Sequence, residues 1–294
     1  MNPMNSRRKM LQQSAAVVSG VALHPFASAT ERVRAHGMKF GLVTYLWGKD
    51  MDLPTVISSC AESGLQGVEL RTEHKHGVEP RLSAAERKDV RQRFTDSPVE
   101  LVGYGSNCEF HSADPKKVRA NIEQAKQYIQ LMHDCGGTGV KVKPNGFPAD
   151  VPREKTIEQI GRALNEVAEY GQQYGQQIRV EVHGRGTSEL PVMRDIFAVA
   201  DHPNVGVCWN SNDVDLAGDG LSKNFAMVRE RFGDTVHVRE LNVGDYPYRD
   251  LFRLMTESEY EGWILLEART NPDDKIVAMR EQAKVFDELC SSID

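Results

Sequence analysis

The chain has 294 residues, a formal net charge of −6 at pH 7 and a hydrophobic content of 40%. This length and apolar content are sufficient for one barrel of about 250 residues without a second domain. The negative charge indicates no basic surface for a phosphate backbone, so we expect no nucleic-acid substrate. No run beyond the N-terminal segment approaches the roughly 18 apolar residues of a membrane span.

The N-terminal 29 residues are typical of an export signal. Arg7 and Arg8 precede a moderately apolar stretch, residues 15–23, and a small-residue cleavage pattern at residues 27–29. This order resembles a twin-arginine signal, which implies passage of the folded protein through the twin-arginine export machinery, cleavage near Ala29 and a periplasmic location. The alternative interpretation is a basic amphipathic or disordered tail.

The sequence therefore predicts three segments. Residues 1–29 are the signal peptide, residues 30–37 are a linker, and residues 38–294 are the folded domain. The linker carries no low-complexity sequence and is simply the part between the cleavage pattern and the first strand.

Strand-like and helix-like segments alternate through the first half of the domain. The first predicted strand is KFGLVTY, and Asp52 with Pro54 then predicts the start of a helix that ends at Gly64. Further strands are predicted at GVEL, VELVGYG and GVKVKP. The clearest helix begins after Asp114 and stops at Gly136.

The second half supplies four more predicted strands. They cover residues 179–182, 205–209, 236–241 and 264–266. Eight strand–helix units predict parallel strands with crossover helices, and this number favours a single closed (β/α)8 TIM barrel of the α/β class. An open sheet that binds a dinucleotide would need G-x-G-x-x-G after the first strand, where the sequence reads TYLWG.

Four polar residues lie one at the end of each of these four strand-like segments, directly after a short apolar run. They are Glu181, Asn210, His237 and Glu267. Because the C-terminal ends of barrel strands meet at one mouth, we expect these side chains to converge. Two carboxylates, an imidazole and an amide oxygen predict a divalent-metal site. The alternatives are a turn cap for the amide, solvated or paired strand ends for the carboxylates, and a satisfied core histidine.

The last helix–strand unit is the most specific part of the sequence. Residues 246–269 read YPYRDLFRLMTESEYEGWILLEAR, which resembles the xylose-isomerase-like TIM barrels, the sugar isomerase/epimerase superfamily. GVELR after the second strand and E-x-H after the fifth occur in matching order, and the resemblance extends over residues 39–289. It implies one divalent cation, such as manganese, cobalt, zinc or magnesium.

The resemblance also implies the ligands. In this family a Glu, an Asp, a His and a Glu from the last four strands hold the ion, and these fall on Glu181, Asn210, His237 and Glu267. An asparagine in place of the aspartate removes one negative charge, although an amide oxygen can still ligate a hard cation. We expect weaker binding unless a nearby acid, Asp213 or Asp215, compensates.

Four more residues are candidates for substrate binding. His183 lies two residues beyond Glu181 and therefore points to the same face of its strand. Lys143 ends the fourth strand, the Arg239 guanidinium can bind oxyanions or hydroxyls, and Trp209 offers a surface on which a sugar can stack. The alternatives are a salt-bridged lysine, a solvated arginine and a core tryptophan.

The resemblance implies chemistry beside a carbonyl group. Glu181 and Glu267 would act as the acid/base pair while the cation stabilises an enediolate. Because export separates the protein from cytoplasmic sugar phosphates, we expect an isomerase or epimerase of an unphosphorylated keto-sugar. The alternatives are a 3-keto-glycoside lyase or hydrolase and a non-catalytic sugar-binding barrel. A homo-oligomer is compatible with the sequence.

Overall fold

Eight strands alternate with eight helices within residues 37–293, the part of the chain that this computed structural model describes. The strands are β1 (Lys39–Val43), β2 (Gly67–Arg71), β3 (Glu100–Glu109), β4 (Gly139–Lys143), β5 (Gln177–Glu181), β6 (Val205–Asn210), β7 (Phe232–Val238) and β8 (Trp263–Leu266). The helices are α1 (Leu53–Ser63), α2 (Ala84–Thr95), α3 (Pro115–Cys135), α4 (Arg153–Gln173), α5 (Leu190–Val199), α6 (Leu221–Val228), α7 (Tyr248–Glu257) and α8 (Lys275–Ser291). The predicted signal peptide and residues 30–36 of the predicted linker lie outside the described residues.

The strands pair in parallel in chain order, and β8 returns to pair with β1. This closure confirms the predicted single (β/α)8 TIM barrel. All eight strands point the same way, so their C-terminal ends surround one mouth. Within residues 37–293, no helix is both long enough and apolar enough to cross a membrane.

The helix boundaries follow from capping residues that the sequence reveals. Asp52 accepts a hydrogen bond from the backbone N–H of Thr55 at 3.0 Å and begins α1. Gly64 ends that helix with a φ of 81°, a left-handed conformation that favours glycine. Asp114 and Gly136 bound α3 in the same way, so these predicted ends are confirmed.

Strand β7 differs from its predicted bounds. The sequence predicts residues 236–241, whereas the strand begins at Phe232 and ends at Val238. Gly233 and Asp234 are typical of a turn, yet this segment lies along β6, beginning with the pair Val207 and Phe232. His237 is therefore the penultimate residue of its strand.

The side chains that point into the barrel are unusually polar. Alternate residues of β4 and β5, such as Val140, Val142 and Val180, belong to the apolar core that packs against the helices. The residues between them are charged and fully buried or nearly so. Together with one residue each from β2 and β7, these are Glu69, Lys141, Arg179, Glu181 and His237. Buried charges need partners, so this part of the barrel interior is built from ion pairs, beside a separate apolar cluster of Val43, Val102, Trp263 and Leu265.

Candidate active site

Three of the four predicted metal ligands meet at the C-terminal mouth. One ligand atom from each of Glu181, His237 and Glu267 lies within 4.8 Å of the others, and all three residues are buried. Glu181 ends β5, His237 lies one residue before the end of β7, and Glu267 directly follows β8. Parallel strand ends thus bring together groups that are 86 positions apart at most.

Both carboxylate oxygens of Glu181 accept hydrogen bonds from buried donors. The Lys141 ammonium lies 2.5 Å from Oε2, and the Asn210 amide Nδ2 donates to Oε1 at 2.8 Å. The Lys141 and Glu181 side chains are only 0% and 2% exposed. Burial alone would raise the pKa of Glu181, but the charges of Lys141 and His237 bring it below its ordinary value. Glu181 is therefore held as a carboxylate.

Gly105 of β3 leaves room for these charged side chains. A Cβ at this position would lie 2.7 Å from Oε1 of Glu69 and 3.5 Å from Cε of Lys141. The missing side chain thus allows Glu69 of β2 and Lys141 of β4 to approach each other inside the barrel. The charge of Lys141 is one of those that lower the pKa of Glu69.

His237 and Glu69 form a second buried contact. Nε2 of His237 lies 3.3 Å from Oε1 of Glu69, and both side chains are fully buried. The atoms are close enough for an ion pair but not aligned for a hydrogen bond, so both ring nitrogens lack a hydrogen-bond partner among residues 37–293. Burial opposes a charge on His237, yet Cys208 and Glu69 raise its pKa well above the ordinary value. An unsatisfied buried imidazole calls for a further partner.

Glu267 is paired with an arginine from β2. Nη1 of Arg71 donates to Oε1 of Glu267 at 2.8 Å, and Nη2 donates to Oδ1 of Asn107 at 3.3 Å. Lys143 donates to the same Asn107 oxygen at 3.2 Å. Burial and the charge of Lys141 lower the pKa of Lys143 to about 8. Lys143 ends β4 at the mouth and is partly exposed, so its amine can be reached by a substrate.

The remaining predicted ligand and its proposed substitutes take different positions. Asn210 lies at the site, but as a donor to Glu181. Asp215 is fully buried and accepts hydrogen bonds from the Tyr246 hydroxyl and the Asn212 backbone, each at 2.8 Å. The side chain of Asp213 is 95% exposed. Neither aspartate belongs to the group of three ligands, so the structure does not support the expected compensation for Asn210.

His183 lies at the mouth beside the β4–α4 loop. Its Nδ1 lies 2.9 Å from Oδ1 of Asn145, and the side chain is half-buried. The turn after it needs Gly184, whose φ is 99° and where a Cβ would lie 2.6 Å from Cα of Asn145. Burial lowers the pKa of His183, which favours a neutral imidazole that can donate to or accept from a sugar hydroxyl.

The last two substrate-binding candidates differ in their placement. Arg239 donates to Oδ1 of Asn212 at 3.3 Å and stays partly exposed beside the loop after β6. Trp209 is fully buried, with its ring 5.8 Å from Phe225 of α6 and 5.9 Å from Phe232. Trp209 points away from the barrel interior and lies in the core, which corrects the expectation that it offers a sugar-stacking surface.

Three charged residues of the site were missed by the sequence reasoning. They are Glu69, Arg71 and Lys141, which pair with His237, Glu267 and Glu181 respectively. Each lies on a strand in which charged and apolar residues alternate, GVELR or GVKVK. A charge at every second position of a buried strand is the signal that would have placed them inside the barrel.

The chemistry of the donors fits a divalent cation. Two carboxylates and an imidazole are ordinary ligands of zinc and similar ions, and their atoms already lie close together. The unsatisfied nitrogens of His237 favour a missing partner at the same place. Lys141 and Arg71 must then share the two carboxylates with the ion.

The chain belongs to the xylose isomerase-like TIM barrel family, whose model matches residues 57–289. This confirms the resemblance seen in the last helix–strand unit. No curated protein matches the sequence at a significant level.

Solved structures share the fold at low sequence identity. The 3-keto-D-glucoside 4-epimerase YcjR from E. coli is 14% identical over 85% of this chain and 99% of its own, with a TM-score of 0.72. A D-psicose 3-epimerase from Clostridium cellulolyticum, solved with D-tagatose, is 15% identical over 87% of this chain and 100% of its own, with a TM-score of 0.73. The IOLI protein with a bound zinc atom is 15% identical over 87% and 99%, with a TM-score of 0.74.

Proposed function

We propose that the protein is an isomerase or epimerase of an unphosphorylated keto-sugar that moves a proton α to the carbonyl. The observation that carries this proposal is the meeting of Glu181, Glu267 and His237 at the barrel mouth. Two carboxylates on different strands can approach one substrate carbon from two directions, so that one removes a proton and the other returns a proton. Membership of the family and the epimerases among the similar structures support the same class of reaction.

The two carboxylates have distinct surroundings in this proposal. Glu267 is placed by Arg71 and takes the substrate proton, while Glu181 is placed by Lys141 and Asn210. The lowered pKa of Glu181 favours its carboxylate, so the proton that Glu181 returns to the substrate must be taken up from solvent during the reaction. Lys143 and His183 lie at the mouth and bind the hydroxyl or carbonyl oxygens.

We propose one divalent ion as the cofactor. Glu181, His237 and Glu267 would hold it, with Asn210 beside them, and the zinc bound by the similarly folded IOLI protein supports a metal ion as cofactor. When bound, the ion would polarise the carbonyl and hydroxyl oxygens of the substrate.

The substrate class follows from two further points. The segments after β7 and β8 read RELNVGDYP and EARTNPDD, which contain no glycine-rich cradle for a phosphate group. We also propose that the twin-arginine pattern exports the protein to the periplasm, where unphosphorylated sugars are the available substrates. That proposal rests on the sequence of residues 1–29 alone.

Solvent deuterium exchange tests the proposed reaction. Incubation of the protein with Mn²⁺ and a panel of ketoses and 3-keto-glycosides in deuterium oxide should place deuterium on the carbon α to the carbonyl. Glu267→Gln should abolish this exchange, because an amide cannot accept the proton at neutral pH. Glu261→Gln is the matched control, since Glu261 lies exposed just before β8 and should leave exchange unchanged.

The products distinguish the remaining alternatives. A sugar of unchanged mass identifies an isomerase or epimerase, whereas release of an aglycone or second sugar identifies a lyase or hydrolase. Saturable sugar binding without any exchange across the panel would contradict the proposal and favour a binding protein.

A further inference from the structure

Both oxygens of the Glu181 carboxylate already accept a hydrogen bond from a buried donor, which leaves one lone pair on each for another partner. Oε2 accepts from the Lys141 ammonium at 2.5 Å, and Oε1 accepts from the Asn210 amide at 2.8 Å. Glu181 is 2% exposed and Lys141 is fully buried, so water cannot take over either contact. An ion that uses Glu181 as a ligand must therefore share the carboxylate with the Lys141 ammonium or displace it.

Displacement of Lys141 is unfavourable for a buried site. A zinc–carboxylate bond is about 2.0–2.2 Å long, so an ion on Oε2 would lie close to the ammonium group that is 2.5 Å from the same oxygen. Two cations that share one carboxylate repel each other strongly where water does not screen them. The asparagine at position 210 adds to this effect, because it supplies a donor where an aspartate would supply a further negative charge.

We propose that Lys141 is a built-in counter-ion that competes with divalent metal for Glu181. This inference rests on the proposed metal role of Glu181. The ammonium neutralises the carboxylate whenever no ion is bound, so the barrel folds and stays folded without metal. Metal binding is correspondingly weak and readily reversible. Arg71 has the same relation to Glu267, although Glu267 keeps its second oxygen for other partners.

Mn²⁺ titration by calorimetry tests the competition. The full-length protein is compared with Lys141→Gln, which keeps a hydrogen-bond donor for Glu181 but removes the positive charge. Lys284→Gln is the control, because it removes the same charge from an exposed lysine of α8 that pairs with Glu288, away from the barrel mouth. We expect Mn²⁺ to bind Lys141→Gln at least about tenfold more tightly than wild type, and Lys284→Gln within about threefold of wild type.

Thermal unfolding provides a second measurement with Lys141→Met as a second variant. Without metal, loss of the ammonium leaves Glu181 buried and unpaired, so both Lys141 variants should unfold at a lower temperature than wild type. Mn²⁺ should raise the unfolding temperature of these variants by more than it raises that of wild type. Recovery of folded Lys141 variants only when Mn²⁺ is present would support the competition for the same reason.

Three results would overturn the inference. These are equal Mn²⁺ affinities of wild type and the Lys141 variants, equal tightening in Lys284→Gln, and Lys141 variants that unfold at the wild-type temperature when Mn²⁺ is absent. If wild type and all variants fail to bind Mn²⁺, the proposed metal role fails and the inference fails with it. A negative deuterium-exchange result, in contrast, contradicts only the proposed reaction and leaves the competition for Glu181 measurable.

Discussion

Arg71 at the end of β2 and Glu267 just after β8 form an ion pair across the end of β1. The strand β1 lies between β2 and β8, and Nη1 of Arg71 reaches Oε1 of Glu267 at 2.8 Å. The two side chains are only 11% and 7% exposed. The pair therefore joins two strands that do not hydrogen-bond to each other, at the seam where the first and last units of the barrel meet.

Arg71→Met should lower the free energy of unfolding by about 3 kcal/mol, because it leaves the buried carboxylate of Glu267 without its partner. Urea denaturation measures this change. Arg93→Met is the control, since Arg93 pairs with Asp89 on the exposed face of α2 and should matter by about 1 kcal/mol or less. Equal small effects of the two substitutions would show that the seam does not depend on this pair.

Asn210→Asp should have opposite effects without and with metal. In wild type, Nδ2 of Asn210 lies 2.8 Å from Oε1 of Glu181. In the variant a carboxylate oxygen takes the place of this nitrogen, so repulsion between two carboxylates should lower the unfolding temperature when no ion is bound. Mn²⁺ should restore it and should bind more tightly than to wild type, because one negative charge is added at the site. Equal shifts of the unfolding temperature by Mn²⁺ in both proteins would exclude Asn210 from the metal site.

Asp215 should make the protein less stable as the pH rises. Burial raises the pKa of this carboxyl group to about 7, against an ordinary value of 3.8. The groups that face it are Tyr246 and Arg239, which lower the pKa, and Asp213, which raises it. Between about pH 4 and pH 7 the folded state keeps a proton that the unfolded state has lost, so stability falls with pH over this range.

The Asp215→Asn variant tests this dependence. The shift corresponds to a loss on the order of 4 kcal/mol between the two ends of the range, and an asparagine cannot show it. Urea denaturation of wild type and variant at a series of pH values should therefore give a flatter profile for the variant. Parallel profiles would mean that Asp215 titrates at its ordinary pKa.

Replacement of Arg7 and Arg8 by lysine should trap the uncleaved precursor in the cytoplasm, because the twin-arginine pattern is an address that a receptor reads. Immunoblots of periplasmic and cytoplasmic fractions measure the result. In wild type, N-terminal sequencing should find a mature chain that starts at or near Thr30. Export that continues undiminished with two lysines would contradict the assignment to this pathway.

The strand ends of the barrel could be predicted because two local rules agree there. An apolar run followed by Glu181 or Glu267 marks both a strand and its exit to the mouth, and parallel strands force these exits together. Helix ends at Asp52 and Gly64 follow from capping alone. These features depend on neighbours in sequence.

The partners of the site could not be predicted in this way. Whether Lys141 contacts Glu181 depends on how far β4 is staggered against β5 and on the space that Gly105 leaves on β3. Such information lies in the closed barrel rather than in any one segment. The placement of Trp209 could not be predicted for the same reason. Adjacent residues of a strand point to opposite faces, so Trp209 points to the helices because Asn210 points into the barrel, and only the closed barrel fixes which of the two points inward.

The pairing of Lys141 with Glu181 also constrains how this protein can change over evolutionary time. A substitution of either residue alone leaves an uncompensated charge in a fully buried position, whereas a simultaneous change of both can be tolerated. The two positions should therefore vary together among close relatives, with an acidic residue at 181 accompanied by a basic one at 141. Relatives that have lost the lysine should instead be found with an aspartate at position 210.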